Sequence, residues 1–283
     1  MSPLVLNLNP ANFYTFHNMN LKNNDTVLLK KEGNIAIVTL NRPKQYNAIT
    51  EDLKWGLLHA CNDIQKDDQI RVVILTGNGK GFCAGADMSD LNSGGFSPLE
   101  VRDNLIMMYG NVVRSIMRLE KPVICAINGP VAGAGLGIAL SCDLRIMAEH
   151  ASMRYAFINI GLVPDAGSTW FLARQVGYSK ALELIIEGEK IPAHECLKLN
   201  LTNKVCPAET LMNHAMTWAK RLAERPTMAI GRTKKVLNFA MQNDLNSTIA
   251  QEGEEQMACL LSHDHKEGVK AFLEKRKPEF IGK

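Results

Sequence analysis

Little in the composition places this chain at once. Of its 283 residues only 6% are aromatic, and the formal net charge is +3. So small a basic excess does not by itself mark a nucleic-acid binder. Seven cysteines, an odd number with no C-x-x-C pair, argue for reduced thiols in a cytoplasmic setting and against a disulfide framework. No basic region followed by an apolar run opens the chain, so no secretory signal is read. Internal repeats and low-complexity tracts are also missing. Residues 1–24, rich in Asn, are expected to form an extension, with Met19 as a second candidate start.

Against these absences stands one segment, Lys121 to Asp143, KPVICAINGPVAGAGLGIALSCD, uncharged between its ends. Its length alone would suit a membrane span. Asn128-Gly129-Pro130 argues otherwise, because this turn signal would break a spanning helix where no water could satisfy the freed carbonyl. The better reading is a buried strand (Val123 to Ile127), a turn, and a buried helix opening near Ala132. Gly133, Ala134, Gly135 and Gly137 carry almost no side chain, so the unpaired N–H groups of that helix start are open to a ligand. They could cradle a phosphate or a developing oxyanion. The dinucleotide reading is weak, since the third glycine of G-x-G-x-x-G is missing and no strand with an acidic end follows at the proper distance. The plainer alternative is that small residues merely let the helix pack on a sheet.

A second segment has the same form. In Arg71 to Asp90, RVVILTGNGKGFCAGADMSD, a β-branched strand (Val72 to Thr76) runs into a glycine-rich loop and then Ala84-Gly85-Ala86. Lys80 is followed by Gly81, so the hydroxyl of a phosphate-binding loop is missing. Two strands each ending in a small-residue platform are what a two-donor oxyanion hole requires.

LNRPKQYNAIT, GKGFCAGADMSDL and NGPVAGAGLGIALSCD, in that order and spacing, resemble the signatures of the crotonase, or enoyl-CoA hydratase/isomerase, superfamily. GLVPDAGSTWFL and EGVKAFLEKRKPEF extend the likeness to the C-terminus. The resemblance implies an α/β fold, a spiral of strand-strand-helix turns over residues 25–207, followed by a helical oligomerisation region over 208–283. It also implies an acyl-CoA thioester substrate, no cofactor beyond the CoA moiety, and a homotrimer or dimer of trimers. Carried over by position, the oxyanion donors fall on the backbone N–H groups of Ala86 and Ala134. Contacts to CoA fall on Ala48, Ala84, Asp87, Gly133, Phe272 and Lys275.

The hydratases of the superfamily hold a water with two glutamates. Here those positions are Gly137 and Phe157, so an ordinary hydration base is missing, and Gly137 would open space for a ring-bearing acyl group. Asp165, in GLVPDAGSTWFL, stands where enoyl-CoA isomerases of the superfamily carry a lone acid; the surrounding words resemble the epoxyphenylacetyl-CoA isomerases. One carboxylate is sufficient for isomerisation, because the base that lifts a proton from one carbon can return it to another. Desolvation by neighbours such as Phe157 would raise its pKa. The competing reading is that Asp165 N-caps a helix beginning near Ala166. The expected function is therefore enoyl-CoA isomerisation. Its alternatives are a hydratase with a non-standard base, or a homologue that binds acyl-CoA or RNA without catalysis.

Other polar residues carry plainer expectations. Asp87 orders a turn, and Asp143 pairs with Arg145 or Arg154. His263-Asp264-His265 forms a solvated loop with no third metal ligand in view, and His194 and Glu195 lie on a helix surface. The RNA alternative would use Lys220, Arg221, Arg225, Arg232, Lys234 and Lys235, but Glu224 interrupts that cluster and no aromatic interleaves it. Strands are expected near Val27 to Lys30 and Ala36 to Leu40, and a helix from Thr50 to Asp63. After a Gly94-Gly95 loop comes a helix buried through Val101, Leu105, Met108, Val112 and Ile116. Helices over Thr210 to Ala223, Met228 to Met241, Leu245 to Leu261 and Lys266 to Lys275 close the chain. The recurring strand-helix alternation implies parallel strands with right-handed crossovers.

Overall fold

Apolar residues at the start of the folded part build a hairpin. In the computed structural model, which describes residues 25–87 and 97–283, β1 (Val27–Glu32) pairs antiparallel with β2 (Ile35–Leu40), Val27 opposite Leu40. The extension expected over 1–24 and the Gly94-Gly95 loop lie outside the described residues. α1 (Glu51–Lys66) is capped by Thr50, whose hydroxyl accepts from Leu53 N. It runs past Asp63 because Ile64 continues its buried stripe of Leu53, Leu57, Ala60 and Cys61. β3 (Val72–Gly77) lies parallel to β2 and is buried at every position. Burial on both faces explains why its sequence is a continuous apolar run and not an alternation.

α2 (Pro98–Asn104), a π turn (Leu105–Tyr109) and α3 (Gly110–Arg118) follow one another without a break. The π turn adds a residue to the helical repeat. At its end Tyr109, in place of the expected Met108, joins Val112 and Ile116 in the core. β4 (Val123–Ile127) spans the residues expected of it, and β5 (Val131–Ala132) comes next. α4 (Ala134–Ser141) opens two residues later than expected because Val131 and Ala132 pair with β7 before the chain turns at Gly133. β6 (Leu144–Ala148) and β7 (Ser152–Arg154) lead through a 3-10 turn (Ala156–Ile160) to α5 (Ser168–Val176) and α6 (Tyr178–Glu187). β8 (Lys190–Pro192), α7 (Ala193–Lys198) and β9 (Lys204–Cys206) complete the strands, and α7 exposes His194 as expected.

The larger sheet runs β1-β2-β3-β4-β6-β9, parallel beyond its first pair, and the smaller runs β5-β7-β8. In the middle of the chain each turn therefore takes a strand of the large sheet, a strand of the small one, and a helix. Bridges from Cys83 to Val131 and from Ile49 to Ala86 continue the small layer back toward the first glycine-rich segment. Helix α4 is buried at all eight positions, which its small and aliphatic residues allow.

The C-terminal part is helical: α8 (Leu211–Ala223), α9 (Thr227–Ala240), α10 (Leu245–Leu260) and α11 (His263–Leu273). By packing, α8 belongs to the core, burying Leu211, Ala215, Trp218 and Ala219 against the large sheet. The solvated loop expected at His263-Asp264-His265 is instead the first turn of α11, capped by the Ser262 hydroxyl, which accepts from His265 N. Asp264 is buried there and accepts from the amides of Ile281 and Gly282. Asp143 pairs with Lys234 at 2.7 Å, not with Arg145 or Arg154. Arg145 is spent on the carbonyls of Leu201 and Cys142.

Candidate active site

Two chain reversals bring the small-residue platforms together. Gly133 sits at φ 55, and Gly85 at φ 95, both in the region that an L side chain strains to adopt. A Cβ on Gly85 would lie 3.2 Å from Ala134 N and 3.0 Å from Ala132 O, so the two segments are packed backbone to backbone. Ala132 N donates to Cys83 O at 2.9 Å and Ile49 N to Gly85 O at 2.8 Å. Among the described residues, the N–H groups of Ala86 and Ala134 donate to no protein acceptor. Ala134 is the first residue of α4, where the helix itself supplies no acceptor.

The loop that carries Ala86 is held from beneath. Asn47 is fully buried, and its Nδ2 reaches the carbonyls of Asn78, Gly81 and Phe82 at 2.9–3.1 Å, while its Oδ1 accepts from Arg42 N. Asn128 takes the Gly77 amide and donates to Gly79 O from the other side. Arg42 then ties Asp87, at 2.7 Å, and the Ala48 carbonyl, at 2.6 Å. The expected turn-ordering role of Asp87 thus takes the form of an ion pair with the residue next to Pro43 in the first motif.

Ala86 and Ala134 open onto one cavity of about 730 Å³, whose wall includes Ala84, Asp87, Gly133, Phe157 and Asp165. Phe157 enters from the 3-10 turn, and Ile160, Leu162 and Val163 form an apolar side. Asp165 does not cap α5. Ala166 at φ 50 and Gly167 at φ 73 turn the chain through two left-handed residues, so the backbone carbonyl of Asp165 takes Ser168 N and Oγ. Its carboxylate is left aside, and Oδ1 is buried with no hydrogen-bond partner among the described residues. Burial accordingly pushes the Asp165 carboxyl up to about 6, because the charged form is poorly solvated there.

The structure does not bring every expected residue here. Gly137 opens no space: a Cβ on it would lie 2.6 Å from Ala166 Cβ and nearer still to the Ala166 carbonyl oxygen, so Ala166 fills that volume. Ala48 is buried outside the cavity wall. Phe272, 83% exposed, borders a different cavity between α9, α10 and α11, and Lys275 lies exposed just after α11. Of the basic cluster weighed for RNA, Arg232 and Lys235 engage Glu255, and Lys234 engages Asp143. Sequence reasoning also missed residues on the cavity wall. Lys54 is nearly buried among Glu51, Asn104 and Tyr109. Its position three residues before Leu57, on the buried side of α1, was the available signal.

Among the described residues no group of three His, Cys, Asp or Glu could hold a metal, and no helix is long and apolar enough to cross a membrane. Residues 30–283 match the family model described as enoyl-CoA hydratase/isomerase. The chain is 37% identical to a 1,2-epoxyphenylacetyl-CoA isomerase of Escherichia coli, covering 91% of this chain and 98% of that protein. It is 39% identical to a short-chain-enoyl-CoA hydratase of Clostridium acetobutylicum, covering 90% and 97%. Among solved structures, an enoyl-CoA hydratase from Bacillus anthracis superposes with a TM-score of 0.86 at 32% identity, covering 91% of this chain and all of that one. The crotonase-type α/β architecture implied by the motifs is the one found.

Proposed function

The chain belongs to the enoyl-CoA hydratase/isomerase family, and from that premise we propose that it shifts a double bond within an enoyl-CoA thioester, with Asp165 as the single proton carrier. That it is an acyl-CoA enzyme follows from the family. The isomerase reading rests on one observation: a buried carboxylate oxygen and two backbone amides, all without a partner among the described residues, line the same cavity.

The chemistry balances with these groups alone. The Asp165 carboxylate takes the α-proton of a β,γ-enoyl thioester, and the electron pair passes to the carbonyl oxygen. The N–H groups of Ala86 and Ala134 hold that oxygen as it becomes charged, each worth about 3 kcal/mol at the transition state. Asp165, now protonated, returns the proton to the γ-carbon as the carbonyl reforms, which leaves an α,β-enoyl thioester. No cofactor beyond the substrate's CoA is needed. Hydration would require a base to activate a water, and among the described residues the other carboxylates on the wall are committed: Asp87 to Arg42 and Glu51 to Lys54.

Given a β,γ-enoyl-CoA, the enzyme is expected to yield an isobaric α,β-enoyl-CoA, as read by chromatography with mass spectrometry. A product heavier by one water, with no isobaric product at any time, would overturn the reading. Ring-bearing and straight acyl groups both remain within it.

The same reading makes the assembly a homotrimer or dimer of trimers in the cytoplasm, with Phe272 and Lys275 contacting CoA across a subunit boundary. Helices α9 to α11 support this by exposing Leu237, Leu245, Leu261, Phe272 and Leu273, an apolar surface that a lone chain leaves in water. Light scattering after size exclusion is expected to give three or six chain masses; a monomer would refute it.

A further inference from the structure

Lys54 places a cation in the wall of the cavity onto which Ala86, Ala134 and Asp165 open. Its side chain is 5% exposed, it pairs with Glu51, donates to Asn104 Oδ1 at 2.7 Å, and its Nζ lies 4.6 Å from the Tyr109 ring centre. Asn104 in turn donates to Glu51 at 2.6 Å. An ammonium has three N–H donors; Glu51 and Asn104 accept two of them, and the third faces the Tyr109 ring, a weaker acceptor. That third donor lies where water is scarce, the side chain being 5% exposed, and Lys54, Glu51, Asn104 and Tyr109 all line the cavity. A purely hydrocarbon acyl group would leave that donor to the ring face alone, whereas an oxygen acceptor would give it a full hydrogen bond.

The sign of the surroundings narrows the acceptor. Glu51, Asp87 and Asp165 all face the same cavity, and Lys54 is the only cation on its wall among the described residues. Glu51 already neutralises Lys54 and Arg42 neutralises Asp87, so an anionic end group would meet no unpaired cation and the charge of Asp165. A neutral oxygen takes the donor without that opposition.

We propose that Lys54 is a specificity-determining residue that selects acyl-CoA substrates carrying a neutral oxygen acceptor, such as a ketone, ether or hydroxyl, on the part of the acyl group remote from the thioester. This rests on the isomerase reading for the reaction but not for the binding. Three substrates of matched length serve as probes across a short chain series: β,γ-enoyl-CoA esters ending in a methyl, a ketone or a carboxylate. Wild type is expected to favour the ketone over the methyl in kcat/KM by about tenfold at the best length. Lys54→Met keeps most of the buried stem and is expected to abolish that preference, the ketone substrate losing about tenfold more in kcat/KM than the methyl one. Glu51→Gln, at an exposed position, is expected to improve the carboxylate substrate selectively, by about threefold to tenfold.

Equal losses on all three substrates in Lys54→Met would assign Lys54 to structure and overturn the proposal, as would a wild type indifferent to the end group. If no substrate turns over, the isomerase reading has failed. Calorimetric binding of the corresponding saturated acyl-CoA esters then decides the proposal by itself: a ketone preference lost in Lys54→Met supports it, and its absence refutes it.

Discussion

Asp165→Asn is expected to lower kcat on a β,γ-enoyl-CoA by about a thousandfold with little change in KM, since the amide keeps the shape and loses the proton carrier. Solvent deuterium exchange at the α-carbon should fall in parallel. The pH profile gives the second signature. A base works only when deprotonated, and burial pushes this carboxyl up to about 6, so wild-type kcat/KM should rise with pH through that value and then level off. The residual activity of the variant should lack that limb.

The same substitution is expected to stabilise the protein at neutral pH. Because the folded-state pKa lies above the ordinary value of 3.8, the folded chain binds the proton more tightly than the unfolded chain. Its contribution to stability is complete below about 3.8 and is lost as pH rises through about 6. At pH 7 the charge is held in a site that solvates it poorly, at a cost of about 2 kcal/mol after allowing for its partial exposure. Urea unfolding of Asp165→Asn should therefore show a gain of that order at pH 7 that disappears in acid. A helix cap would behave in the opposite way, with stability falling on removal. Loss of activity together with loss of stability at pH 7 would return Asp165 to a structural role.

Gly137→Ala should damage fold and site together. The added methyl would stand 2.6 Å from Ala166 Cβ, with the Ala166 carbonyl closer still, and α4 has no exposed side toward which to yield. Overpacking of this kind costs about 2–3 kcal/mol even after relaxation. Ala166 already holds a left-handed conformation, so displacing it moves Asp165, its chain neighbour, relative to the amide of Ala134 on the same helix as Gly137. Thermal unfolding should fall by several degrees and kcat by at least about tenfold. Gly253→Ala is the control: nothing lies within 4 Å of its added methyl inside α10, and stability should hold or rise slightly. If Gly137→Ala matched that control, the close contact with Ala166 would not exist in solution. The same contact leaves no room for a side chain as long as glutamate at 137.

Much of this was legible in the residues. The runs Val72 to Thr76 and Val123 to Ile127 read as buried strands, and the glycine-alanine cluster after each lines the cavity. Helix ends were less legible. Ser262 was a cap signal in plain view, yet the His-Asp-His run beside it reads as polar loop until Asp264 is seen bonded to the amides of Ile281 and Gly282. The partner of Asp143 lay far along the chain, on α9, where no local pattern could point to it.

Local order in the chain determined the strands, the glycine bends, and the presence of one acid and no second at the expected places, because these depend on near neighbours and on residue size. Tertiary structure alone decided three things. Asp165 is a free carboxylate and not a cap, because two left-handed residues send its carbonyl to Ser168 instead. Gly137 is a packing contact and not an opening, because Ala166 arrives there from a distant turn. Lys54 faces a cavity and not water, because Asn104 at the end of α2 and Tyr109 in the π turn cover it. Each of these is set by which segments meet in space, and the energy of a buried group depends on those neighbours far more than on its own place in the chain.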